Sequence, residues 1–477
     1  MLCTTPPVVN KEEANMMLGD TIAAISTPRG KGGVGMIRVS GTRAVEICES
    51  VFSPRSSKAL SEIPARTAVY GSIYAKEADG SRISIDDGIA TVFRAPASFT
   101  GEDTVEITCH GGILLCETVL ASVIACGARA AEAGEFTRRA FLSGKLGLSE
   151  AESLGDLLEA KTHAQMKLAH AGMKGRLSKR CREIYDRLCA ILASVYVKID
   201  YPDEDLAEIG SEEAADLLGE VAHSLEELAS TYKTGHAVAE GIPTVICGRP
   251  NVGKSSLYNL ILGREAAIVT DVEGTTRDVL CETVAFGDVT LRLFDTAGLH
   301  TTVDPVERIG IERARQAMEE AELILAVFDA SVAPTEEELS WMKGLGKGNS
   351  VIAVLNKSDL GSDFAKEYTV HFENHVRLSA RDGEGLEALR QTVGDLFLEG
   401  HLDLCGDAVV ANARQYGAVL SALESVRHGE TSLRAGYPLE ICCADAEAAM
   451  EAIASLDGRA VSEDIVSEIF SHFCVGK

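Results

Sequence analysis

The sequence predicts a multidomain α/β protein with an N-terminal α+β domain, a discontinuous helical domain and an inserted, doubly wound, mostly parallel sheet. Three observations favour this class. The chain has 477 residues, 46% of them hydrophobic, and this length is typical of about three domains rather than one core. Short β-rich runs come first, and long helical periodicity follows. Apolar strands then alternate with helices.

Composition limits the classes of function. The 72 acidic residues outnumber the 45 Lys and Arg residues, so the net charge of −27 opposes general attraction to nucleic acid or acidic membranes. No window approaches the roughly 18 uncharged apolar residues of a membrane span, and no basic and then apolar export signal opens the chain. We therefore expect a cytoplasmic protein without membrane attachment. The 13 cysteines include no CxxC pair, which favours reduced thiols over disulfides or a zinc site.

A basic stretch between Lys161 and Arg187 is the candidate for local contact with RNA. Few acidic residues separate its cations, which are Lys167, Lys174, Arg176, Lys179, Arg180 and Arg182. A solvated helix face explains the same pattern, and the sequence leaves both interpretations open.

The first domain, residues 1–143, is predicted from apolar runs bounded by Gly and Pro. The strand-like runs are TIAAIST, GMIRVSG, AVYGSIY, GIATVFR and TVEITCH, and ILLCETVLASVIACG has helical periodicity. Strands interleaved with helical stretches describe an α+β domain.

The helical domain is predicted in two segments, residues 144–236 and 401–477. The first segment has helical periodicity without clusters of turn residues, and it is interrupted near DYPDEDL, where Pro202 should break a helix. The tail becomes helical again, and the economical arrangement packs it on the first segment.

The region between these segments, residues 237–400, reads as an insertion. Its apolar strands IPTVICG, VTLRLFDTAG, LILAVFDA and SVIAVLNKSD alternate with helices. This alternation is the signature of a mostly parallel sheet with helices on both faces.

The first strand of the insertion runs into a phosphate-binding loop. Residues from Gly248 to Ser255 fit GxxxxGKS between a strand and a helix that begins near Ser255, which is the context that the motif requires. Gly248 and Gly253 let backbone N–H groups surround a phosphate, Lys254 supplies a cation, and the Ser255 hydroxyl can ligate Mg²⁺.

Three further motifs follow in the order of a GTP-binding module. LFDTAG offers Asp295 to the magnesium shell and the Gly298 N–H to the terminal phosphate. NKSD ends another strand with Asp359, an acceptor-only carboxylate that pairs with the two adjacent N–H donors of guanine but not with adenine. LSARDGEG then offers Ser379 and Ala380 to clamp the base. The sequence therefore predicts GTP binding.

The residue after DTAG raises a question about hydrolysis. Leu299 stands where small GTPases usually carry the glutamine that orients the attacking water. Another group must take this role, and the available carboxylates are Asp304, Glu307 and Glu312. The residues alone do not choose among them.

Seven stretches together resemble one family closely. They are DTIAAISTPRGKGGVGMIRVSG, SFTGEDTVEITCHGG, AGEFTRRAFLSGKLGLSEAE, GRPNVGKSSLYN, REAAIVTDVEGTTRD, DTAGLHTTVDPVERIGIERA and the terminal FCVGK. The chain resembles the bacterial tRNA wobble-uridine modification GTPases of the MnmE (TrmE) family, which are TrmE-Era-EngA-like GTPases, over nearly its whole length. It departs from the family at His300, where Arg is common, and at Cys109, where Gly is frequent.

The resemblance implies a P-loop GTPase domain that uses Mg²⁺ and K⁺ and that hydrolyses GTP when two such domains meet. It implies Mg²⁺ at Ser255 and Thr276, K⁺ at Asn251, Thr270, Val272 and Thr275, and Glu307 as the residue that orients water. The implied GTP contacts are Asn251, Val252, Gly253, Lys254, Ser255, Ser256, Thr270, Asp271, Val272, Glu273, Gly274, Thr275, Thr276, Asp295, Thr296, Ala297, Gly298, Asn356, Lys357, Ser358, Asp359, Ser379, Ala380 and Arg381.

For the N-terminal domain, the resemblance implies dimerisation and a tetrahydrofolate derivative, 5-formyl- or methylene-tetrahydrofolate. The implied contacts are Arg38, Glu106, Lys145 and Lys477. Arg and Lys suit the glutamate carboxylates of folate, and Glu106 suits the paired N–H donors of a pterin.

Cys474, near the end of the chain, has three interpretations. Lipid attachment is disfavoured because Lys477 is not a usual final residue of such a signal. Passive packing beside Phe470 and Phe473 is the second. The resemblance adds the third, a catalytic thiol beside the one-carbon donor.

The implied reaction adds a carboxymethylaminomethyl or aminomethyl group to carbon 5 of the wobble uridine of tRNA. It requires a homodimer of this chain in a heterotetramer with MnmG, which carries FAD and most of the tRNA-binding surface. GTP hydrolysis would drive opening and closing. Two alternatives remain, namely a ribosome-assembly type GTPase switch without a modification role, and a metabolic folate-dependent transferase that the GTPase regulates.

Overall fold

The computed structural model describes residues 19–56, 58–76, 81–200, 210–265, 281–294, 321–345, 350–361, 364–398, 400, 402–459, 463–471 and 473–476. These residues fold into two compact units. The first unit comprises the described residues of 1–155, 178–215 and 428–477, and the second those of 156–177 and 216–427. Each unit is considered by itself below.

A seven-stranded sheet with the order β3-β4-β5-β6-β2-β1-β7 forms the N-terminal part of the first unit. Its strands are β1 Ile22–Ile25, β2 Val34–Ser40, β3 Phe52–Pro54, β4 Thr67–Lys76, β5 Arg82–Phe93, β6 Thr104–His110 and β7 Arg129–Ala130. The helices here are α1 Ala44–Val51, α2 Ile113–Ala125 and α3 Glu135–Leu142. All pairs are antiparallel except β1 with β7. The predicted α+β character is confirmed.

Alternation along β2 decides which side chains face away from the core. Ile37 and Val39 are buried against α1 and α2 in the main hydrophobic cluster of this sheet. Because successive side chains point to opposite faces of a strand, Arg38 between them points to the other face.

The described residues after Leu146 divide into five helices up to Ala239. They are α4 Leu148–Glu159, α5 His163–Met173, α6 Arg176–Asp200, α7 Ser211–Ser230 and α8 Tyr232–Ala239. Thr162 starts α5 with a capping box, in which its hydroxyl accepts from Gln165 N at 3.0 Å and Gln165 Oε1 accepts from Thr162 N at 3.1 Å. Gly175, with φ of 67°, separates α5 from α6. The capping box and the glycine mark helix ends that the spacing of apolar residues does not reveal.

The sheet of the second unit has the order β13-β12-β11-β8-β10-β9. Its strands are β8 Ile242–Cys247, β9 Cys281–Phe286, β10 Val289–Phe294, β11 Leu323–Asp329, β12 Ser350–Asn356 and β13 Asn374–Arg377. Its helices are α9 Lys254–Glu265, α10 Glu336–Met342, α11 Ala365–Thr369 and α12 Leu386–Phe397. Every strand pair is parallel except the β9–β10 hairpin.

Helices cover both faces of this sheet. One hydrophobic cluster includes residues of α9 and α12, and a second includes residues of α10 and α11 on strand positions of opposite parity. The predicted doubly wound, mostly parallel sheet is therefore confirmed. Strands β9 and β13 were not among the predicted runs.

The tail is helical, as α13 Ala413–Arg434, α14 Leu439–Leu456 and α15 Glu463–Ser471. Within the first unit, Tyr196 of α6 donates to Glu447 Oε1 of α14 at 2.6 Å. Within the second unit, Arg427 Nε of α13 donates to Glu226 Oε1 of α7 at 3.2 Å. The tail thus contacts earlier helices in both units. The domain limits at 143, 236 and 400 stay a prediction.

None of the described helices has the length and apolar character needed to cross a membrane. The described cysteines have free thiols and form no disulfide with one another.

Candidate functional site

The phosphate loop connects the buried strand β8 to helix α9. Gly248 has φ of 147° and Gly253 has φ of 102°, values that favour glycine. A Cβ atom on Gly248 would lie 2.3 Å from the Val327 carbonyl oxygen, and one on Gly253 would lie 2.1 Å from Asn356 Nδ2. The loop therefore packs so closely on β11 and β12 that only glycine fits.

Lys254 spans this loop. Its Nζ donates to the carbonyl oxygens of Gly248 at 2.9 Å and Arg249 at 2.8 Å. Burial lowers the pKa of Lys254. Ser255 and Ser256 follow on the first turn of α9 and are exposed, as is Asn251, which has φ of 65°. A cation, two hydroxyls and an amide thus surround the helix N-terminus, a chemistry suited to phosphate and its metal ion.

Asn356 joins the phosphate loop to the base-recognition loop. Its Nδ2 donates to the Val252 carbonyl oxygen at 2.8 Å, and its Oδ1 accepts from Ala380 N at 2.9 Å. The side chain is 2% exposed. Because both ends of the amide are satisfied, one buried residue sets the distance between the two loops.

Asp359 and Ser379 form the predicted base site. Ser379 Oγ donates to Asp359 Oδ1 at 3.0 Å, and Ser379 is fully buried whereas Asp359 is exposed. The hydroxyl therefore orients a carboxylate that faces solvent. Ser358 and Arg381 lie in the same two loops.

Two contacts of this site were not predicted. Lys357, at φ of 63°, donates through Nζ to Asp329 Oδ2 at 2.7 Å. Burial alone would raise the pKa of Asp329, but hydrogen bonds from Lys357 and Ser331 outweigh burial and lower it. Asp329 ends β11 in register with Asn356 at the end of β12, a pairing that the sequence does not reveal.

The second missed contact ties the phosphate loop to α10. Arg249 Nη1 donates to Thr335 Oγ1 at 3.1 Å and lies 3.4 Å from the buried Glu338. Thr335 and Glu338 also form the capping box of α10. TEEE at the start of a helix is a readable capping signal, but its arginine partner is 86 residues away in sequence.

Several predicted residues lie outside the described residues. They are Thr270, Asp271, Val272, Glu273, Gly274, Thr275, Thr276, Asp295, Thr296, Ala297, Gly298, Leu299, Asp304, Glu307, Glu312 and Lys477. Their assignments stay predictions.

In the N-terminal sheet, Arg38 and Glu106 occupy paired positions of β2 and β6. Arg38 Nε donates to Glu106 Oε1 at 2.9 Å, and the guanidinium lies 5.8 Å from the Phe99 ring centre and 5.7 Å from that of Phe136. Phe136 is fully buried, whereas Phe99 is 39% exposed, so an exposed aromatic ring beside a paired charge is what this site offers to a planar heterocycle. Which end of a folate each of these two residues would meet stays a prediction.

Lys145 reaches the loop that carries Phe99. Its Nζ donates to the Pro96 carbonyl oxygen at 2.7 Å. Ser143, two residues earlier, donates through Oγ to the Thr100 carbonyl oxygen at 2.7 Å. Arg38 and Lys145 are therefore both held against the segment 96–100.

The end of the chain is attached to the same sheet. Ser26 Oγ donates to the Gly476 carbonyl oxygen at 3.1 Å, and Ala133 forms a β-bridge with Val475. Cys474 itself is exposed, so packing beside Phe470 and Phe473 does not bury it. The thiol lies on a segment that is fixed at its backbone and open at its side chain.

A buried charge network, absent from the predictions, fixes the start of α3. Arg139 is 1% exposed, pairs with Asp20, and donates to Glu102 Oε1 at 3.1 Å and Glu135 Oε1 at 2.9 Å. Burial alone would raise the pKa of Asp20 and Glu135, but hydrogen bonds from arginines outweigh it and lower both pKa values. For Glu102, burial dominates and raises the pKa. This network holds in place the helix that carries Phe136.

The basic stretch is solvent-exposed over most of its length. On α5 and α6 in the second unit and on the connection between them, Lys167, Lys174 and Arg176 are exposed, and in the first unit Lys179 and Arg182 of α6 are exposed. Arg180 lies 3.5 Å from Glu183.

Comparison with known proteins gives consistent matches. The family described as the MnmE helical domain matches residues 148–474, and the one described as GTP-binding protein TrmE N-terminus matches residues 21–145. The "tRNA modification GTPase MnmE" of Carboxydothermus hydrogenoformans is 40% identical over 97% of this chain and 100% of the relative. The protein with the same description from Clostridioides difficile is 38% identical over 97% of this chain and 100% of its own length. A crystal structure of Era from Aquifex aeolicus bound to GDP.AlF4⁻ is 26% identical, covers 38% of this chain and 65% of that chain, and has a TM-score of 0.27.

Proposed function

The chain belongs to the MnmE family of tRNA modification GTPases, and from this membership we propose that it drives modification of the wobble uridine at carbon 5. The proposed product carries a carboxymethylaminomethyl or aminomethyl group, with a tetrahydrofolate derivative as one-carbon donor. The observation that supports GTP binding most directly is Asn356, whose amide bonds both the phosphate loop and the base loop. The tRNA substrate would place this activity in the cytoplasm.

Magnesium fits the exposed hydroxyl of Ser255 beside Lys254, with Thr276 as the second proposed ligand. Bound Mg²⁺ would neutralise charge on the phosphates. The ammonium group of Lys254 would place a positive charge at the phosphate loop. Ser379 and Asp359 would orient the guanine base. We propose K⁺ at Asn251, Thr270, Val272 and Thr275, where it would add positive charge beside the phosphates.

Glu307 is proposed to orient the attacking water when two GTPase domains meet. The test is GTP hydrolysis by the full chain in K⁺ and in Na⁺, for wild type and Glu307→Gln. We expect faster hydrolysis in K⁺ and a loss of about 100-fold or more in the variant, the usual effect of removing a positioned acid or base. Asp304→Asn and Glu312→Gln are matched controls. If the loss appears in either of them instead, the assignment to Glu307 is wrong.

The folate derivative is proposed to bind against the N-terminal sheet. Glu106 and Arg38 together would meet the pterin beside the exposed ring of Phe99, and Lys145 and Lys477 would meet the glutamate carboxylates. Cys474, exposed on the attached tail, would act beside the one-carbon group.

A homodimer is proposed to form through the N-terminal unit. Apolar side chains are exposed on the outer face of its sheet and at the adjoining start of α2, including Val34 at 62% and Leu114 at 77%. Two surface depressions of about 730 and 520 Å³ share Ile85 as a lining residue, so the patch is continuous. Large exposed apolar patches are typical of interfaces.

The proposed partner is FAD-containing MnmG, in a heterotetramer. A net charge of −27 fits a subunit that leaves most tRNA contacts to its partner. The exposed cations around α5 and α6 are the proposed local contact with tRNA.

The experiment that tests the function is mass spectrometry of wobble uridines in tRNA from a strain that lacks this gene. The strain is complemented with wild type, Cys474→Ser or Cys405→Ser, the last an exposed cysteine in the second unit. We expect wild type and Cys405→Ser to restore the modification and Cys474→Ser to fail. Fully modified tRNA in the deletion strain would instead favour a ribosome-assembly type GTPase switch.

A further inference from the structure

We propose that a cavity in the second unit, away from the nucleotide loops, binds a small elongated zwitterion with a carboxylate at one end and an ammonium group at the other. The cavity has a volume of about 360 Å³ and lies among the end of α4, the start of α5, the end of α8 and the β9–β10 hairpin. This volume is at the lower end of small-molecule sites, which measure about 300–1,000 Å³.

One end of the cavity presents a buried hydroxyl without a hydrogen-bond partner in the described part of the chain. Thr290 is fully buried, lines the cavity, and its Oγ1 has no hydrogen-bond partner among the described residues. A buried hydroxyl in this state carries a desolvation cost that a ligand acceptor would remove. The floor beside it is apolar, formed by Leu168 and Ala169.

Arg292 places a cation next to this hydroxyl. It lies two residues from Thr290 on the same face of β10, opposite Thr283 of β9, and all three line the cavity. Arg292 is half-buried, and no carboxylate of the described residues lies within ion-pair distance of it. A guanidinium beside hydroxyl donors is the chemistry that binds a carboxylate.

The rim carries the opposite charge. The exposed charged residues that line the mouth are the carboxylates of Asp156, Glu159 and Glu240 and the ammonium of Lys161, which leaves two net negative charges. This rim disfavours phosphates and other polyanions and attracts an ammonium group. Since the cation lies inside and the net negative charge at the mouth, the two charges of the ligand should be several bonds apart.

The cavity is separate from the nucleotide site along strand β8. Leu291 pairs with Ile242 at the start of β8, whereas the phosphate loop follows Cys247 at its other end. Strand β8 has six residues, and a strand rises about 3.3 Å per residue. The cavity and the phosphate loop therefore lie at opposite ends of this strand. The proposal therefore does not depend on the role of the chain in tRNA modification.

The test is isothermal titration calorimetry of the full chain with 4-aminobutyrate. Butyrate and butylamine each keep one of its charges, and 2-aminobutyrate places both charges on adjacent carbons. We expect 4-aminobutyrate to bind at least about tenfold more tightly than any of these three. Arg292→Gln should weaken binding at least about tenfold, and Arg377→Gln, an exposed arginine on β13 of the same sheet, should leave it unchanged.

A second pair of variants keeps the test decisive if Arg292→Gln misfolds. Thr290→Val removes the hydroxyl at constant shape and should weaken binding. Thr290→Ser keeps the hydroxyl and should bind like wild type. GDP binding, measured on the same samples, reports folding of the unit. The proposal is overturned if 4-aminobutyrate does not bind, if a single-charge compound binds as tightly, or if Thr290→Val binds like wild type.

Discussion

At the scale of single residues, the contact between Gly253 and Asn356 determines whether the phosphate loop keeps its conformation. We expect Gly253→Ala to weaken GTP binding, because the new methyl would meet Asn356 Nδ2 and the residue would keep φ of 102°. Asn356 cannot turn away without losing two hydrogen bonds. Backbone strain and one unpaired buried group together cost about 2 kcal/mol or more, which is about 30-fold in affinity.

The measurement is titration of a fluorescent GDP analogue, with Gly263→Ala as matched control. Gly263 lies within α9, ten residues after Gly253, and a Cβ atom there would have no neighbour within 4 Å. Alanine in a helix interior is favourable, so this control should bind normally. Equal affinity for both variants would contradict the role given to the Gly253–Asn356 contact.

Thiol accessibility is a second property set residue by residue. Burial raises the pKa of Cys181 and of Cys247 to about 12, whereas Cys474 and Cys405 are exposed. Because the thiolate is the nucleophile, iodoacetamide at pH 8 should label the two exposed cysteines and leave the two buried ones unmodified. Peptide mass spectrometry reads the pattern. Labelling of Cys405 without Cys474 would show that the end of the chain is covered.

How far residue roles were predictable depends on the range of the contacts behind them. The roles proposed for Lys254, Asn356 and Asp359 come from short motifs, which place Lys254 at the start of a helix and Asn356 and Asp359 where strand β12 ends in a loop. The anchors of such residues do not, since Asp329 and Glu338 meet Lys357 and Arg249 only after the strands have assembled. Short motifs therefore indicate which residues are expected to contact a ligand. Only the folded structure shows which residues keep those side chains in position.

At the scale of elements, long apolar runs were predictable and short or edge strands were not. The run that became β11 is buried at almost every position, as expected for a central parallel strand. Strands β9 and β13 lie at the two edges of the same sheet, and β13 has only four residues. An edge strand has a neighbouring strand on one side only and is more exposed to solvent. Its composition therefore resembles that of a loop.

Helix α8 is joined to the sheet by a pair that depends on pH. His236 Nε2 lies 3.2 Å from Glu322 Oε1, and His236 Nδ1 lies 3.4 Å from Glu240 Oε2. The hydrogen bond with Glu322 raises the pKa of His236 and outweighs burial, while Arg292 acts in the opposite direction. The stabilisation is complete below the unfolded pKa of about 6.5 and is lost as pH rises through the higher folded pKa.

We therefore expect His236→Gln to lower the melting temperature of the full chain more at pH 6 than at pH 9, by the equivalent of about 1 kcal/mol. Differential scanning calorimetry at the two pH values makes the comparison. His223→Gln is the matched control, because His223 pairs with Glu227 at 3.4 Å but is largely exposed. A pH-independent effect of His236→Gln would contradict the protonated pair.

At the scale of the whole molecule, contacts between segments far apart in sequence could not be predicted from local sequence patterns. Ser26 and Gly476 are separated by 450 residues, yet a hydrogen bond of 3.1 Å joins them. Resemblance to a family could suggest that the tail reaches the N-terminal sheet, but no periodicity or motif could. The first described strand and the described end of the tail are thus parts of one unit, and a truncation of the last four residues would remove that attachment.

The exposed apolar face of the N-terminal sheet leads to the last prediction, which concerns assembly. We expect Leu114→Asp to shift the proposed homodimer towards monomer, because a charge at the most exposed apolar residue of the patch would have to be desolvated in the interface. Size-exclusion chromatography with light scattering should show a dissociation constant raised at least about tenfold. Val370→Asp is the matched control, since Val370 is 82% exposed on the second unit. If wild type is monomeric, or if Val370→Asp alone dissociates the dimer, this face is not the interface.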